Sequence, residues 1–175
     1  LFLSLVIITS LFIPISVLAY WLIRGINSGN NLSATFNGVI GSLSTATVTS
    51  LSAIIISTPI VIMVSQYKSR FGNIFEKLIL SLYGLPHIAV GISILFISLK
   101  IFPRFYQSFT MLIISYLIVF LPQAVGGGQA AMEQVKSSYI DASLGMGMNK
   151  FMTFTKITLP LIYKGLIAGG ALVFL

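Results

Sequence analysis

Charge is scarce in this chain, and negative charge scarcest: only 7% of its 175 residues are Asp, Glu, Lys or Arg, and the acids are Glu76, Glu133 and Asp141 alone. A soluble globular domain needs roughly 25% charged residues to cover its surface, so a soluble globular domain is excluded. Cysteine is absent, which removes disulfide frameworks, thiol nucleophiles and Cys-ligated metal sites from this stretch. There is one histidine, His87, and no second His or Cys to join it in a metal site. The ten Lys and Arg stand singly, with no basic stripe and no interleaved aromatic platform, so the pI of 9.9 does not mark nucleic-acid binding. In a membrane protein such an excess reports cytoplasmic connections instead.

What the chain has is hydrophobicity: 57% of residues are apolar and the mean hydropathy is +1.03. About 20 apolar residues cross the hydrocarbon core of a bilayer as a helix. Four complete runs without Asp, Glu, Lys or Arg meet that need, at 1–23, 41–66, 78–99 and 105–132, and a fifth begins after Lys164 and reaches Leu175. The runs are continuously apolar rather than alternating, which selects helices over a β-barrel. The expected fold is all-α, a polytopic membrane bundle of about five helices. The first run has neither a charged n-region nor a small-residue cleavage site, so it reads as a span and not as a signal peptide. The opening at Leu1 and the stop inside an apolar run suggest a piece of a longer chain.

Orientation follows from the cations. Arg24, Lys100 and Arg104 lie in the links after the first and third runs, whereas Lys68, Arg70, Lys77, Lys136, Lys150, Lys156 and Lys164 lie in those after the second and fourth. The richer links belong in the cytoplasm, and all three acids fall on that side. The Asn-, Gly- and Ser-rich stretch 25–40 then reads as an external loop. The second run (SLSTATVTSLSAIIIST) is unusually rich in hydroxyls, which suit either close helix packing or a wet pathway wall. On the second alternative Ser50 lines a pathway, together with Pro86 and His87 of the third run.

The segment 133–160, EQVKSSYIDASLGMGMNKFMTFTKITLP, is too polar to span. Val135, Tyr139, Ala142 and Met146 recur at helical spacing. Gly145 and Gly147 interrupt the stripe, glycine being the residue that tolerates a left-handed turn. A second short amphipathic stretch runs through Phe151, Phe154 and Thr155, and Pro160 stands where the next span should begin. Helix, glycine turn, helix is a shape that docks in a partner's groove.

This segment resembles the EAA loop of ABC-importer permeases, E-A-A-x3-G-x9-I-x-L-P. Here Asp141-Ala142-Ser143 is followed at the same spacing by Gly147 and by Ile157-Thr158-Leu159-Pro160, with Asp for Glu and Ser for the second Ala. The resemblance extends to 16–26, 81–96 and 120–135, which are similar to the second half of iron(III)-type permeases; thiamine, polyamine and phosphonate permeases look alike. It implies residues 1–36 as a first transmembrane helix with an external loop and 37–175 as a type-1 permease domain in a bacterial inner membrane. It also implies a coupling helix seated on an ATPase subunit. Asp141 would be a polar anchor, Ala142 and Ser143 the small residues allowing close approach, Gly147 the turn, and Leu159 and Pro160 the way back to the membrane. Further implied partners are a second permease half or subunit and an external solute-binding protein. The chain itself would do no bond-breaking chemistry and bind no cofactor, with ATP on the partner.

Other motifs are weaker. Gly145-Met-Gly147-Met-Asn-Lys150 lacks the Gly-Lys-Ser/Thr ending of a phosphate loop. His87 is an ionisable group within a span, with no intramembrane acid to relay protons; it suits a neutral place at a Pro86 kink, bonding freed carbonyls. Gly165 and Gly169 form a small-xxx-small pair that predicts a helix contact, and Gly126-Gly127-Gly128 suggests a loosened helix end above the coupling loop. An ion-driven transporter or an intramembrane enzyme would call for acids, or a paired nucleophile and base, inside the spans.

Overall fold

The computed structural model describes residues 2–28, 32–66 and 70–175. Every element among them is helical. In order they are α1 (Phe2–Asn27), α2 (Leu32–Gln66), α3 (Arg70–Leu82), α4 (His87–Lys100), a 3₁₀ turn (Pro103–Phe105) and α5 (Phe109–Glu133). There follow α6 (Ser137–Gly145), α7 (Lys150–Thr153), a π turn (Phe154–Thr158) and α8 (Leu159–Phe174). Four stretches are long and apolar enough to cross a membrane: Val6–Asn27, Ser33–Ser65, Phe109–Glu133 and Lys150–Phe174. The chain is a multi-pass helical membrane protein.

Contacts divide it into two units, 1–43 and 44–175. In the first, the side chains of α1 from Val6 to Asn27 are all exposed apart from half-buried Gly25. Its hydroxyls are turned back on the helix: Ser10 donates to the Ile7 carbonyl at 3.0 Å and Ser16 to that of Ile13 at 2.8 Å. That disposal suits an apolar surrounding, where no water is at hand to satisfy them.

In the second unit α5 packs extensively against α8, and glycine makes it possible. A Cβ on Gly127 would lie 2.7 Å from the Cα of Gly169 and 2.8 Å from the Gly165 carbonyl oxygen. Backbones meet there with no room for a side chain. The predicted Gly165–Gly169 contact is therefore present, and Gly127 is its counterpart. The 44–66 part of α2 closes the third side. Ser50, buried, donates to the Gly170 carbonyl at 2.7 Å, and Val61 fills the space at Gly128. Val61, Ile79, Val125, Met132, Ile162 and Leu166 form the main core, and Ala53, Ala124 and Val173 a smaller one. Ser57 and Thr58 of α2 donate to the Ile54 carbonyl of their own helix, and the Thr49 hydroxyl is buried without a partner.

Four sequence expectations are corrected. Residues 126–128 do not loosen a helix end, because α5 runs unbroken to Glu133 and its glycines are packing surfaces. The third run is broken, not merely kinked, at Pro86: helix starts earlier, at Arg70, and stops between Leu82 and His87, with a bend of 101° between the two arms. Tyr83, Gly84 and Leu85 each donate to the carbonyl three residues back, tightening α3 to a stop. Pro86 has no N–H and disfavours helical backbone at Leu85; its extended φ −61°, ψ 124° then opens α4. The 25–40 loop shrinks, since α1 reaches Asn27 and α2 begins at Leu32; turn-prone Asn and Ser are weak vetoes on a long apolar helix. Finally, the helical stretch that carries the last candidate span starts at Lys150, ahead of Lys164. Pro160 has no N–H for the Lys156 carbonyl, and the wider π turn, in which Leu159 donates back to Phe154, absorbs the mismatch.

Candidate docking site

The hairpin α6–turn–α7 is built from local signals. Helix α6 closes with Gly147 at φ +84°, where the Gly147 N–H donates to the Leu144 carbonyl (3.0 Å) and that of Met148 to the Ser143 carbonyl (3.1 Å). These are the two bonds of a Schellman ending, with glycine at its left-handed position. Two residues later the Asn149 side chain accepts from the Met152 N–H at 2.7 Å and caps α7. The run Gly147-Met148-Asn149 thus ends one helix and starts the next.

Helix α6 is fastened from inside. Ser143 is 0% exposed; its hydroxyl donates to the Ile140 carbonyl at 2.7 Å and shares a 3.0 Å hydrogen bond with the buried Thr153 hydroxyl of α7. Ile140 and Leu159 pack on the main core. Pro160 lies at the start of α8, and Ile157 is half-buried within the π turn. Facing outward are Tyr139 (50% exposed), Met146 (70%) and Phe151 (74%), with Asp141, Ala142, Leu144 and Gly145 also exposed. The predicted stripe is therefore largely an outer face, and Ser143 holds the hairpin together from within.

Two features were not anticipated. Glu76, Glu133 and Asp141, the chain's three acids, line one cavity of about 870 Å³ with Gln129, Ser65 and Ser137. A groove of about 490 Å³ runs beside it, bordered by Gln134, Tyr139, Leu161 and Lys164. The charge asymmetry had put the acids on one side of the membrane, but only the fold of α3, α5 and α6 brings them to one cavity. Phe151 was legible as part of an amphipathic stretch, not as its exposed side. Among the described residues no three His, Asp or Glu side chains converge closely enough to hold a metal ion.

The remaining candidates lie elsewhere in the second unit. His87 is the first residue of α4, exposed, its ring 5.9 Å from that of Phe120. Pro86 is exposed beside it at the α3–α4 break. Ser50 is committed to Gly170.

Comparison with known proteins agrees with this architecture. An Fe(3+)-transport system permease protein of Haemophilus influenzae is 29% identical over 176 aligned residues, covering 99% of this chain. The chain spans 35% of that relative's length. Residues 58–175, from the last quarter of α2 through the hairpin and α8, match the profile described as the binding-protein-dependent transport system inner membrane component. With its apolar helical spans and that match over most of its length, the chain belongs to the family of binding-protein-dependent transport system inner membrane components.

Proposed function

We propose that this chain supplies about half of the membrane pathway of an ATP-driven importer and is coupled to a separate nucleotide-hydrolysing subunit through residues 133–160 on the cytoplasmic side. The observation that carries the proposal is the outward apolar face of Tyr139, Met146 and Phe151, presented on a hairpin whose turn is set by Gly147. Exposed aromatic and Met side chains next to a fixed turn suit a docking surface, and the excess of cations in that connection suits the cytoplasm. Asp141, Ala142 and Gly145 border the contact, with Ser143, Ile157, Leu159 and Pro160 supporting it. ATP is bound and split on the partner, a second half completes the pathway, and an external binding protein delivers solute.

Movement would pass through a short mechanical chain. A pull on α6 reaches α7 through Ser143–Thr153, crosses the π turn, and moves α8 with α5, which close glycine contacts hold together. Rigid displacement of such a pair between two arrangements gives alternating access. His87 and Pro86, at the broken helix, are the pathway-lining candidates; Ser50 enters the pathway only if its bond to Gly170 opens. The substrate is ferric iron, on the strength of similarity to an iron(III) permease.

The test uses the full protein with its ATPase partner. Cysteine placed at Met146 or Phe151 should form a crosslink to a cysteine on that subunit, and iron-loaded binding protein should stimulate ATP hydrolysis. Labelling of position 146 by an impermeant reagent from outside would overturn the coupling role. Stimulation by a thiamine-, polyamine- or phosphonate-loaded binding protein instead would reassign the substrate. Uptake that survives ATP depletion and follows an ion gradient would replace the importer by a secondary transporter.

A further inference from the structure

Arg24 occupies an unusual electrostatic position. It is the only charged residue of α1, in the last turn of a helix whose preceding described residues present an apolar surface all round. No Asp or Glu occurs anywhere in residues 1–43, so the unit that holds this cation has no carboxylate to pair with it. A guanidinium is charged at any physiological pH. It needs an anion or bulk water, and it stands in the last turn of the candidate span Val6–Asn27.

Two aromatic rings fix its place. The guanidinium carbon of Arg24 lies 5.8 Å from the centroid of the Trp21 ring, and Nη1 donates to the Tyr20 hydroxyl at 3.4 Å. Tyr20 and Trp21 pack edge to face, with centroids 5.9 Å apart and planes at 75°. A cation within about 6 Å of an indole face is held by the ring quadrupole, worth about 0.5–1 kcal/mol at an exposed site. One guanidinium N–H goes to Tyr20, and the remaining donors of its planar fork stay free for a second partner. Tyr and Trp are also the residues that settle at the headgroup level of a bilayer, apolar ring inward and polar tip outward.

We propose that Tyr20, Trp21 and Arg24 form a phospholipid site: the Arg24 fork takes the two non-bridging oxygens of a lipid phosphate, while Trp21 and Tyr20 lie against the glycerol backbone and upper acyl chain. The oxygens of a phosphodiester match the fork's spacing as a bidentate acceptor. The lipid supplies the counter-ion that α1 and its unit lack, and fixes the depth of this helix end. An arginine beside packed aromatic rings recurs after α4, where Phe102 and Phe105 pack edge to face at 6.4 Å next to exposed Arg104 and Tyr106.

Trp21 is the single tryptophan of the 175 residues and reports on its own surroundings. The full protein, with Trp21 the one tryptophan retained, is reconstituted in vesicles mixing a brominated phosphatidylglycerol with an unbrominated, phosphate-free galactolipid, and the converse mixture. Quenching of Trp21 should show the phospholipid preferred about fivefold, the enrichment expected of one cation near the surface. That preference should fall to near parity in Arg24→Gln and remain in part in Arg24→Lys, which keeps the charge but loses the fork. Bromine high on the acyl chain should quench more than bromine near its end. No lipid preference in the parent, or one unchanged in Arg24→Gln, would overturn the site. So would stronger quenching from the chain end. Loss of the preference on adding inorganic phosphate would assign the site to a free anion and overturn the lipid.

Discussion

Gly127 of α5 and Gly169 of α8 meet backbone to backbone, so that a Cβ on Gly127 would fall 2.7 Å from the Gly169 Cα. Neither neighbour is a flexible side-chain end that can swing away. Gly127→Ala should therefore destabilise the second unit by about 1–3 kcal/mol, the usual cost of overpacking. The check is the melting transition in detergent. Gly91→Ala is the control: its added methyl meets nothing within 4 Å, and alanine is the better helix former by about 0.5–1 kcal/mol, so melting should hold or rise.

The turn at the tip of the hairpin makes a sharper pair. Gly147 sits at φ +84°, whereas Gly145 is helical, and open space surrounds both. Gly147→Ala should strain the turn at a cost of about 1–3 kcal/mol, Gly147→Asn less, because Asn tolerates the left-handed region. Gly147→Pro cannot take this φ at all. Coupled uptake should fall in that order while membrane insertion is retained, and Gly145→Ala should transport normally. Equal losses at the two glycines would mean that volume, not backbone conformation, matters there.

Ser143 and Thr153 should show coupled energetics. Removing one hydroxyl of a buried pair costs about 0.5–1.5 kcal/mol. Residues in direct contact also depart from additivity, so Ser143→Ala with Thr153→Val should cost less than the two separately. Protease sensitivity of the 143–153 segment in the four variants gives the cycle. Strict additivity would show that the bond holds nothing together.

The outer face should behave in the opposite way. Asp141→Lys and Phe151→Asp alter exposed positions, where substitutions usually shift stability by less than about 0.5 kcal/mol. Melting should be unchanged while stimulated ATP hydrolysis and uptake are lost. Loss of folding instead would place these side chains in the packing of the chain itself.

Local signals carried the sequence reading a long way. The Gly147-Met148-Asn149 turn and the α6 helix were legible because backbone preference and capping are decided within a few residues. The Pro86 break was underestimated for a related reason: a proline inside an apolar run signals a bend, but its size depends on how the preceding turn closes, here by tight bonds at Tyr83, Gly84 and Leu85. Likewise Ser143 looked like a small residue for a partner, since nothing local says that Thr153 would face it.

By itself the sequence determined that this chain lives in a membrane as helices and where a polar hairpin interrupts the spans. Hydrocarbon forces those outcomes through composition alone, demanding apolar side chains and internally bonded backbone. Only the tertiary structure decided which glycines seal α5 against α8, which face of α6 is left uncovered, and that Glu76, Glu133 and Asp141 border one cavity. Those depend on helices distant in sequence meeting at one angle and register, which no local pattern encodes.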